Sequence, residues 1–254
     1  MKFYIDTEFV HGNLYMADII DISLLSDCSE HLFHVYIKYE HPLPVMVTEI
    51  TGLTNEILNK SGLDTFKEAM DSMTEFIKDE IKEYGVGKGT LIKFVAHGGF
   101  ETDFPFLFNN CDKNHVSIDE LFKKAVYQDS MVSLQLLGYN TPGLSKIAQI
   151  WNLDKKYERH SSHGDVLLLK KICDIHSSSM TSLQTKFYQE VRDASLHKMP
   201  LSFLEIKIIR DETAQSYQEF IDTIHQHTKA KTALRNNNYL KICNYFINRK
   251  DFNT

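Results

Sequence analysis

Residues 2–9 have the sequence KFYIDTEF, and this stretch decides the fold class. Apolar and aromatic residues surround Asp6 and Glu8 in it, and short runs of this kind between polar turns are typical of β-strands. Residues two apart in a strand project from the same face, so the two carboxylates are predicted to lie side by side. Burying them unpaired would be costly. Taken alone, the pair indicates either a functional site or an exposed strand face.

Further strand and helix patterns follow along the chain. Runs rich in Ile, Phe, Tyr and Val predict strands at residues 18–25, 31–38 and 91–96. Apolar residues at helical spacing, and proline or acidic residues at helix starts, predict helices at residues 64–84, 103–110, 142–151 and 164–175. The segment 176–182 (HSSSMTS) is predicted to be a linker or loop, and residues 183–254 have a mostly helical pattern. We therefore predict one domain at residues 1–175 and a helical C-terminal extension at residues 176–254.

The bulk composition is that of an ordinary globular protein, with 43% hydrophobic and 24% charged residues, which argues against wholesale disorder. No stretch approaches the roughly 18 apolar residues that span a bilayer, so no membrane association is expected. The four cysteines are dispersed without a CxxC pair, which indicates a reducing compartment and argues against a cysteine zinc site. We expect an intracellular protein, cytoplasmic or nuclear. The glycines of GVGKGT (85–90) precede a strand and lack a GK[ST] ending, which argues against a phosphate-binding loop.

Three further residues of the metal-site type occur later in the chain: Asp103 in ETDFPF, and His160 and Asp165 in RHSSHGD. Phosphodiester hydrolysis needs an activated water and neutralisation of the charge on the phosphate and the leaving oxygen, and two divalent ions supply both. Carboxylates suit Mg²⁺, with Mn²⁺ as a substitute. Asp6, Glu8 and Asp165 fit as ligands, with Asp6 bridging two ions, and Asp103 would complete the second site directly or through water. His160 fits a general base, because imidazole titrates near neutral pH.

Each of the later residues also has a structural explanation of its own. Asp103 and Asp165 stand at predicted helix starts, where the helix dipole favours an acidic residue. His163 competes with His160 for the role of base. The order and spacing of the whole set favour a joint function, and the net charge of −6 does not oppose a nucleic-acid partner, because bound cations would neutralise part of the acidic cluster.

The combined motifs resemble the DEDDh branch of the DnaQ-like 3′→5′ exonucleases, and within it the TREX-type DNA exonucleases. The resemblance covers roughly residues 1–175 and rests on six segments: IDTEF, EITGLTNEIL, FVAHGGFETDFPFL, DSMVSL, GLSKIAQIW and RHSSHGDVLLLKKIC. It implies an RNase H-like α/β fold, with a five-stranded mixed sheet between helices. It also implies a two-metal 3′→5′ exonuclease that prefers single-stranded DNA and releases nucleoside 5′-monophosphates. A 3′→5′ exoribonuclease and a polymerase-associated proofreading or nucleic-acid-binding module are the alternatives.

The resemblance also assigns substrate contacts and partners. The Ile-Thr-Gly-Leu turn is expected beside the terminal nucleotide, and Phe9 or Leu14 is expected to stack on its base. The full set of expected substrate contacts is Thr7, Phe9, Leu14, Ile50, Gly52, Leu53, His97 and Phe104. The chain departs from the family pattern after Glu8, where Phe-Val-His follows, and at Gly98, where relatives usually have Asn. The expected partners are nucleic-acid 3′ ends, together with a second copy or another protein bound through the C-terminal extension.

Overall fold

The computed structural model describes residues 1–10, 17–84, 91–136, 138–139, 143–153, 161–175 and 185–191. The chain divides into two compact units, Met1–Ser195 and Leu196–Thr254, and every described residue belongs to the first. The predicted glycine loop at 85–90, the predicted linker at 176–182 and the helical pattern beyond residue 191 lie outside the described residues. Within the described ranges, none of the helices combines the length and hydropathy of a bilayer-spanning segment.

Six strands form one mixed sheet in the order β3-β2-β1-β4-β5-β6. The strands are β1 Lys2–Val10, β2 Asp18–Ser26, β3 Leu32–Tyr36, β4 Lys93–Ala96, β5 Val126–Asp129 and β6 Thr185–Phe187. Strand β4 is parallel to both β1 and β5, whereas β2 is antiparallel to β1 and to β3, and β6 is antiparallel to β5. The α/β class and the mixed sheet are confirmed, but the predicted number of five strands is wrong.

The additional strand, β6, comes from the region in which the sequence has a mostly helical pattern. It is three residues long, too short to show an alternating pattern, and it forms because the edge of β5 offers backbone partners, with Val126 opposite Phe187. The side-chain amide of Gln128 also donates to Thr185 Oγ1 at 3.1 Å. Val191, just beyond the strand, is buried in the main core. The described part of residues 183–191 therefore adds to the sheet.

Helices lie on both faces of the sheet. They are α1 Val45–Thr51, α2 Asn55–Leu58, α3 Phe66–Glu83, α4 Asp103–Lys113, α5 Glu120–Lys124, α6 Ser130–Leu136, α7 Leu144–Ile150 and α8 Ser162–Ile175. Helix α3 begins at a capping box in which the Thr65 side chain accepts from the Glu68 backbone N–H while the Glu68 side chain accepts from the Thr65 backbone N–H. Its apolar stripe covers one face of the sheet together with α4.

Alternation along β1 decides which residues face which helices. Phe3 and Ile5 belong to the core shared with α3 and α4, whereas Tyr4 belongs to the core shared with α7 and α8. Residues at even positions continue along the face of Tyr4, so Asp6 and Glu8 project towards the α8 side. The first half of β1 therefore contributes core side chains, and its second half places the carboxylates of Asp6 and Glu8 next to the first turn of α8.

Candidate active site

Three of the predicted carboxylates meet where β1 passes the start of α8. The ligand oxygens of Asp6, Glu8 and Asp165 all lie within 4.8 Å of one another. Asp6 and Glu8 are neighbours because they are two apart in a strand, and Asp165 reaches them from the first turn of α8. Three oxygens at this separation form a donor set that suits a hard divalent cation such as Mg²⁺ or Mn²⁺.

The electrostatics of this cluster also fit a cation. Burial is the largest cause of a raised pKa at both strand residues, followed at Glu8 by Asp165 and at Asp6 by Asp103. The pKa of Glu8 rises to about 8, and the pKa of Asp6 rises well above its ordinary range. Like charges gathered in a low-dielectric site favour the protonated forms, and a bound divalent ion reverses that preference.

A β-bulge lies beside the cluster. Glu8 pairs with Asp21 on β2, but the next residue, Phe9, pairs with Ile19, so the register shifts between Glu8 and Phe9. A bulge bends its strand and changes the direction of the side chains that follow. Here the bulge ends the regular alternation just after Glu8. The Phe9 ring packs edge-on against the ring of Phe106 on α4, with 4.3 Å between the ring centroids.

Asp103 is held firmly beside the three-carboxylate cluster and does not belong to it. Its Oδ1 accepts from the backbone N–H and the hydroxyl of Thr7, each at 2.9 Å, and its Oδ2 accepts from the Thr102 hydroxyl at 3.0 Å. Burial raises the Asp103 pKa to about 6, while these hydrogen bonds act in the opposite direction. Asp103 is close enough to be the largest charge acting on the pKa of Asp6.

The loop between β4 and α4 places Asp103, and Asp129 at the end of β5 holds that loop. The Asp129 carboxylate accepts from the backbone N–H groups of Gly98 (2.9 Å), Phe100 (3.0 Å) and Met131 (2.9 Å). At Gly99 an added Cβ would lie only 2.4 Å from the Cβ of Ala96, so the loop approaches β4 more closely than a side chain allows.

Asp129 and Asp21 were not among the predicted site residues, although both lie in the surroundings of the site. Asp21 lies in an apolar run of the sequence, DIIDISLL, and a carboxylate in an apolar run is the same signal that singled out Asp6. In the structure Asp21 is buried. Asp129 begins the DSMVSL segment of the resemblance, but its supporting role depends on backbone N–H groups that only the folded chain brings together.

The predicted substrate-binding residues occupy different environments. Thr7 supports Asp103, and His97 Nδ1 lies 2.8 Å from the Ser130 hydroxyl. Ile50 is 49% exposed on α1, and Gly52 ends that helix with a left-handed φ of 72°. Leu53 and Phe104 are buried in the core. The predicted base, His160, and the predicted stacking residue Leu14 lie outside the described residues.

A second group of metal-ligand types occurs within the described residues. His31, Glu80 and Glu83 also bring potential ligand atoms within 4.8 Å of one another. Glu80 is buried, accepts from Ser29 at 2.6 Å and lies 2.7 Å from His31 Nδ1. These contacts tie the turn between β2 and β3 to α3, which is a sufficient structural reason for the group.

Comparison with known proteins places this site in a nuclease fold. Three solved structures, each 16% identical to this chain, cover 72–73% of it. The first is a full-length 3′-exonuclease, with a TM-score of 0.56 and 62% of its length covered. The second is the nuclease domain of 3′hExo, a DEDDh family member, bound to rAMP (TM-score 0.53, 95% of its length covered), and the third is a 3′-exonuclease in 3′-end-specific recognition of a histone mRNA stem-loop (TM-score 0.57, 89% of its length covered). The chain has the RNase H-like fold of the DEDDh exonucleases. This likeness concerns the fold. In this chain, Asp165 of α8 meets Asp6 and Glu8 of the sheet, as described above.

The sequence comparisons are weaker than the structural ones. No family model matches the chain. A curated relative, the exonuclease DPD1 of Arabidopsis thaliana, described as chloroplastic or mitochondrial, is 24% identical over 137 residues. The match spans 51% of this chain and 41% of that relative, so the chain corresponds to less than half of the relative's length.

Proposed function

We propose that the chain is a metal-dependent 3′→5′ exonuclease that hydrolyses the terminal phosphodiester bond and releases nucleoside 5′-monophosphates. The observation that carries this proposal is the convergence of Asp6, Glu8 and Asp165 within 4.8 Å, in a fold shared with 3′-exonucleases. The proposed cofactor is a pair of Mg²⁺ ions, for which Mn²⁺ substitutes. When bound, such ions activate the attacking water and stabilise the leaving 3′-oxygen.

The residues of the chain then have distinct tasks. Asp6, Glu8 and Asp165 would hold the ions, and Asp103, whose two oxygens Thr7 and Thr102 fix, would complete the second position directly or through water. Because metal ligands must be deprotonated, a bound divalent ion would hold these buried carboxylates in their ionised form. His160 takes the proton from the attacking water, which is a step worth roughly 10²–10⁴-fold in rate.

Single-stranded DNA is the proposed substrate, because the Asp-Phe-Pro unit at 103–105 resembles that of the TREX-type DNA exonucleases. The exposed apolar residues Val45, Met46 and Ile50 of α1 support binding of a strand end whose bases are unpaired. We place the terminal nucleotide against the turn at Gly52, which follows this helix.

An exoribonuclease is the second candidate, and the structural neighbours favour it. One neighbour carries rAMP, and another is described as recognising a histone mRNA stem-loop. Both ligands contain ribose, and the shared fold accommodates them in those proteins. The C-terminal extension, which we propose as a site for a protein partner or a second copy, lies mostly outside the described residues and does not discriminate between the two sugars.

A gel assay on 5′-labelled DNA and RNA strands of matched sequence tests the proposal, with Mg²⁺, with Mn²⁺ and with EDTA. We expect a metal-dependent ladder that shortens from the 3′ end, faster on DNA, and chromatography of the released nucleotides should identify nucleoside 5′-monophosphates. Faster loss of RNA would replace the DNA proposal by the second candidate. Early release of the 5′ label, or no cleavage of either strand, would overturn the exonuclease proposal.

A further inference from the structure

Asp21 is a buried carboxylate beside the proposed metal site without being one of its predicted ligands. It lies on β2 opposite Glu8 of β1 and is only 1% exposed. Cross-strand partners project from the same face of a sheet, with Cβ atoms about 5 Å apart. Asp21 therefore lies beside Glu8 on the neighbouring strand, on the face that α8 covers.

Both oxygens of Asp21 contact other elements. Oδ1 lies 2.9 Å from Nε2 of His34 on β3, and Oδ2 accepts from the backbone N–H of Ser162 at 3.4 Å. Ser162 is the first residue of α8 and stands three positions before Asp165. The hydroxyl of Ser162 also lies 2.6 Å from the hydroxyl of Ser23 on β2. The first turn of α8, which carries a proposed metal ligand, is thus attached to β2 at two points.

A carboxylate is an expensive choice for a purely structural attachment at this place. Asn would keep one acceptor oxygen, for Ser162 or for His34 but not for both, and Asp21 places a second carboxylate beside Glu8 across the strand pair. Like charges gathered in a buried site destabilise the metal-free protein. The charge has a use if divalent cations bind nearby, because the negative potential then strengthens their binding.

We propose that Asp21 is a positioning residue for the metal site, which fixes the first turn of α8 so that Asp165 meets Asp6 and Glu8, while His34 holds the other oxygen of Asp21. This inference rests on the proposed function. Asp21 acts through the ligands and touches neither substrate nor water in the reaction. Residues in this second layer around a metal typically change its affinity by about 10–100-fold when they are replaced.

The test is a titration of the full chain with Mn²⁺, in which free Mn²⁺ is counted by electron paramagnetic resonance without any substrate. Asp21→Asn keeps the size of the side chain and one acceptor oxygen, and we expect it to bind Mn²⁺ roughly 10–100-fold more weakly than wild type. Excess Mn²⁺ should restore cleavage by this variant but not by Asp165→Asn, because only the latter lacks a ligand.

The control is Asp71→Asn, which removes an exposed carboxylate that pairs with Lys67 on α3 and belongs to neither group of potential metal ligands. It should leave the Mn²⁺ affinity unchanged. If Asp21→Asn does not fold, His34→Ala removes the partner of Asp21 from a partly exposed position and should weaken Mn²⁺ binding in the same direction.

Wild-type Mn²⁺ affinity in a folded Asp21→Asn or His34→Ala variant would overturn the positioning role and leave the proposed function intact. A wild-type chain that binds no Mn²⁺ would instead remove the proposed function, and the positioning role with it. Weaker binding by Asp71→Asn equal to that of Asp21→Asn would also overturn the proposal, since the effect would then be general to the loss of a carboxylate.

Discussion

The Glu8 carboxylate stands where ionisation costs stability and serves metal binding. Its pKa in the folded chain is about 8, against an ordinary value of 4.5, because it is buried among Asp165, Asp21 and Asp103. Between these two pH values the folded chain keeps a proton that the unfolded chain has released. Rising pH therefore destabilises the metal-free fold, and the loss is complete above the folded pKa. Binding sites that are strained in this way are common where function requires charge.

Replacing the charge should therefore stabilise the metal-free protein. At pH 9 in EDTA, we expect Glu8→Gln to be more stable than wild type by about 2 kcal/mol, with little difference at pH 4.5. Thermal unfolding followed by circular dichroism at both pH values measures this. The exposed Glu49→Gln change is the control and should show no such pH dependence. A Glu8→Gln variant that is less stable than wild type at pH 9 would mean that the folded chain stabilises the carboxylate anion.

At the scale of elements, the end of β5 determines the shape of the loop that delivers Asp103. Asp129 accepts three short backbone hydrogen bonds, two of them from the loop before α4. The site is therefore built by β1, by α8 and by a loop that a neighbouring strand holds in place. Hydrogen bonds to a charged group contribute about 1.5–3 kcal/mol each, so this one carboxylate matters for the fold as well as for the site.

Asp129→Asn should be strongly destabilising, because the amide nitrogen cannot accept and at least one buried backbone N–H loses its partner. We expect a loss of about 3 kcal/mol in the free energy of unfolding, measured by urea denaturation. Asp71→Asn, which breaks the exposed ion pair with Lys67 on α3, is the comparison and should cost less than about 1 kcal/mol. Equal stability of the Asp129→Asn variant and wild type would show that the loop is held by other contacts.

At the scale of the whole molecule, the sequence predicts both ends of the first three strands and of the long helix α3 to within two residues, because alternation and helical spacing are strong there. The order of Asp6, Glu8, Asp103 and Asp165 along the chain predicted a common site, and the structure brings the carboxylates of Asp6, Glu8 and Asp165 together. Strand β6 was not predicted, because a three-residue strand is determined by the free edge of β5 and not by its own residues. The support from Asp21 and Asp129 depends on tertiary contacts that no local pattern contains.

The sixth strand makes the position of a C-terminal truncation important. A chain ending at residue 195 keeps β6 and the buried Val191. We expect its free energy of unfolding to lie within about 1 kcal/mol of that of the full chain. A chain ending at residue 175 exposes the edge of β5 and part of the core, and should lose about 2–4 kcal/mol or aggregate. Unfolding and size-exclusion measurements on both truncations check this. Equal behaviour of the two would mean that β6 adds nothing to the stability of the sheet.

The most direct test of the exonuclease proposal compares Asp165→Asn with Asp174→Asn on a 5′-labelled single strand at saturating Mg²⁺. Both changes remove one carboxylate charge from α8, but Asp165 lies in the metal cluster whereas Asp174 is exposed and pairs with Lys170. We predict that Asp165→Asn lowers the rate of 3′ shortening to below about one hundredth of wild type, and that Asp174→Asn retains wild-type activity. Retained activity in Asp165→Asn, with both variants folded, would contradict the proposed metal site.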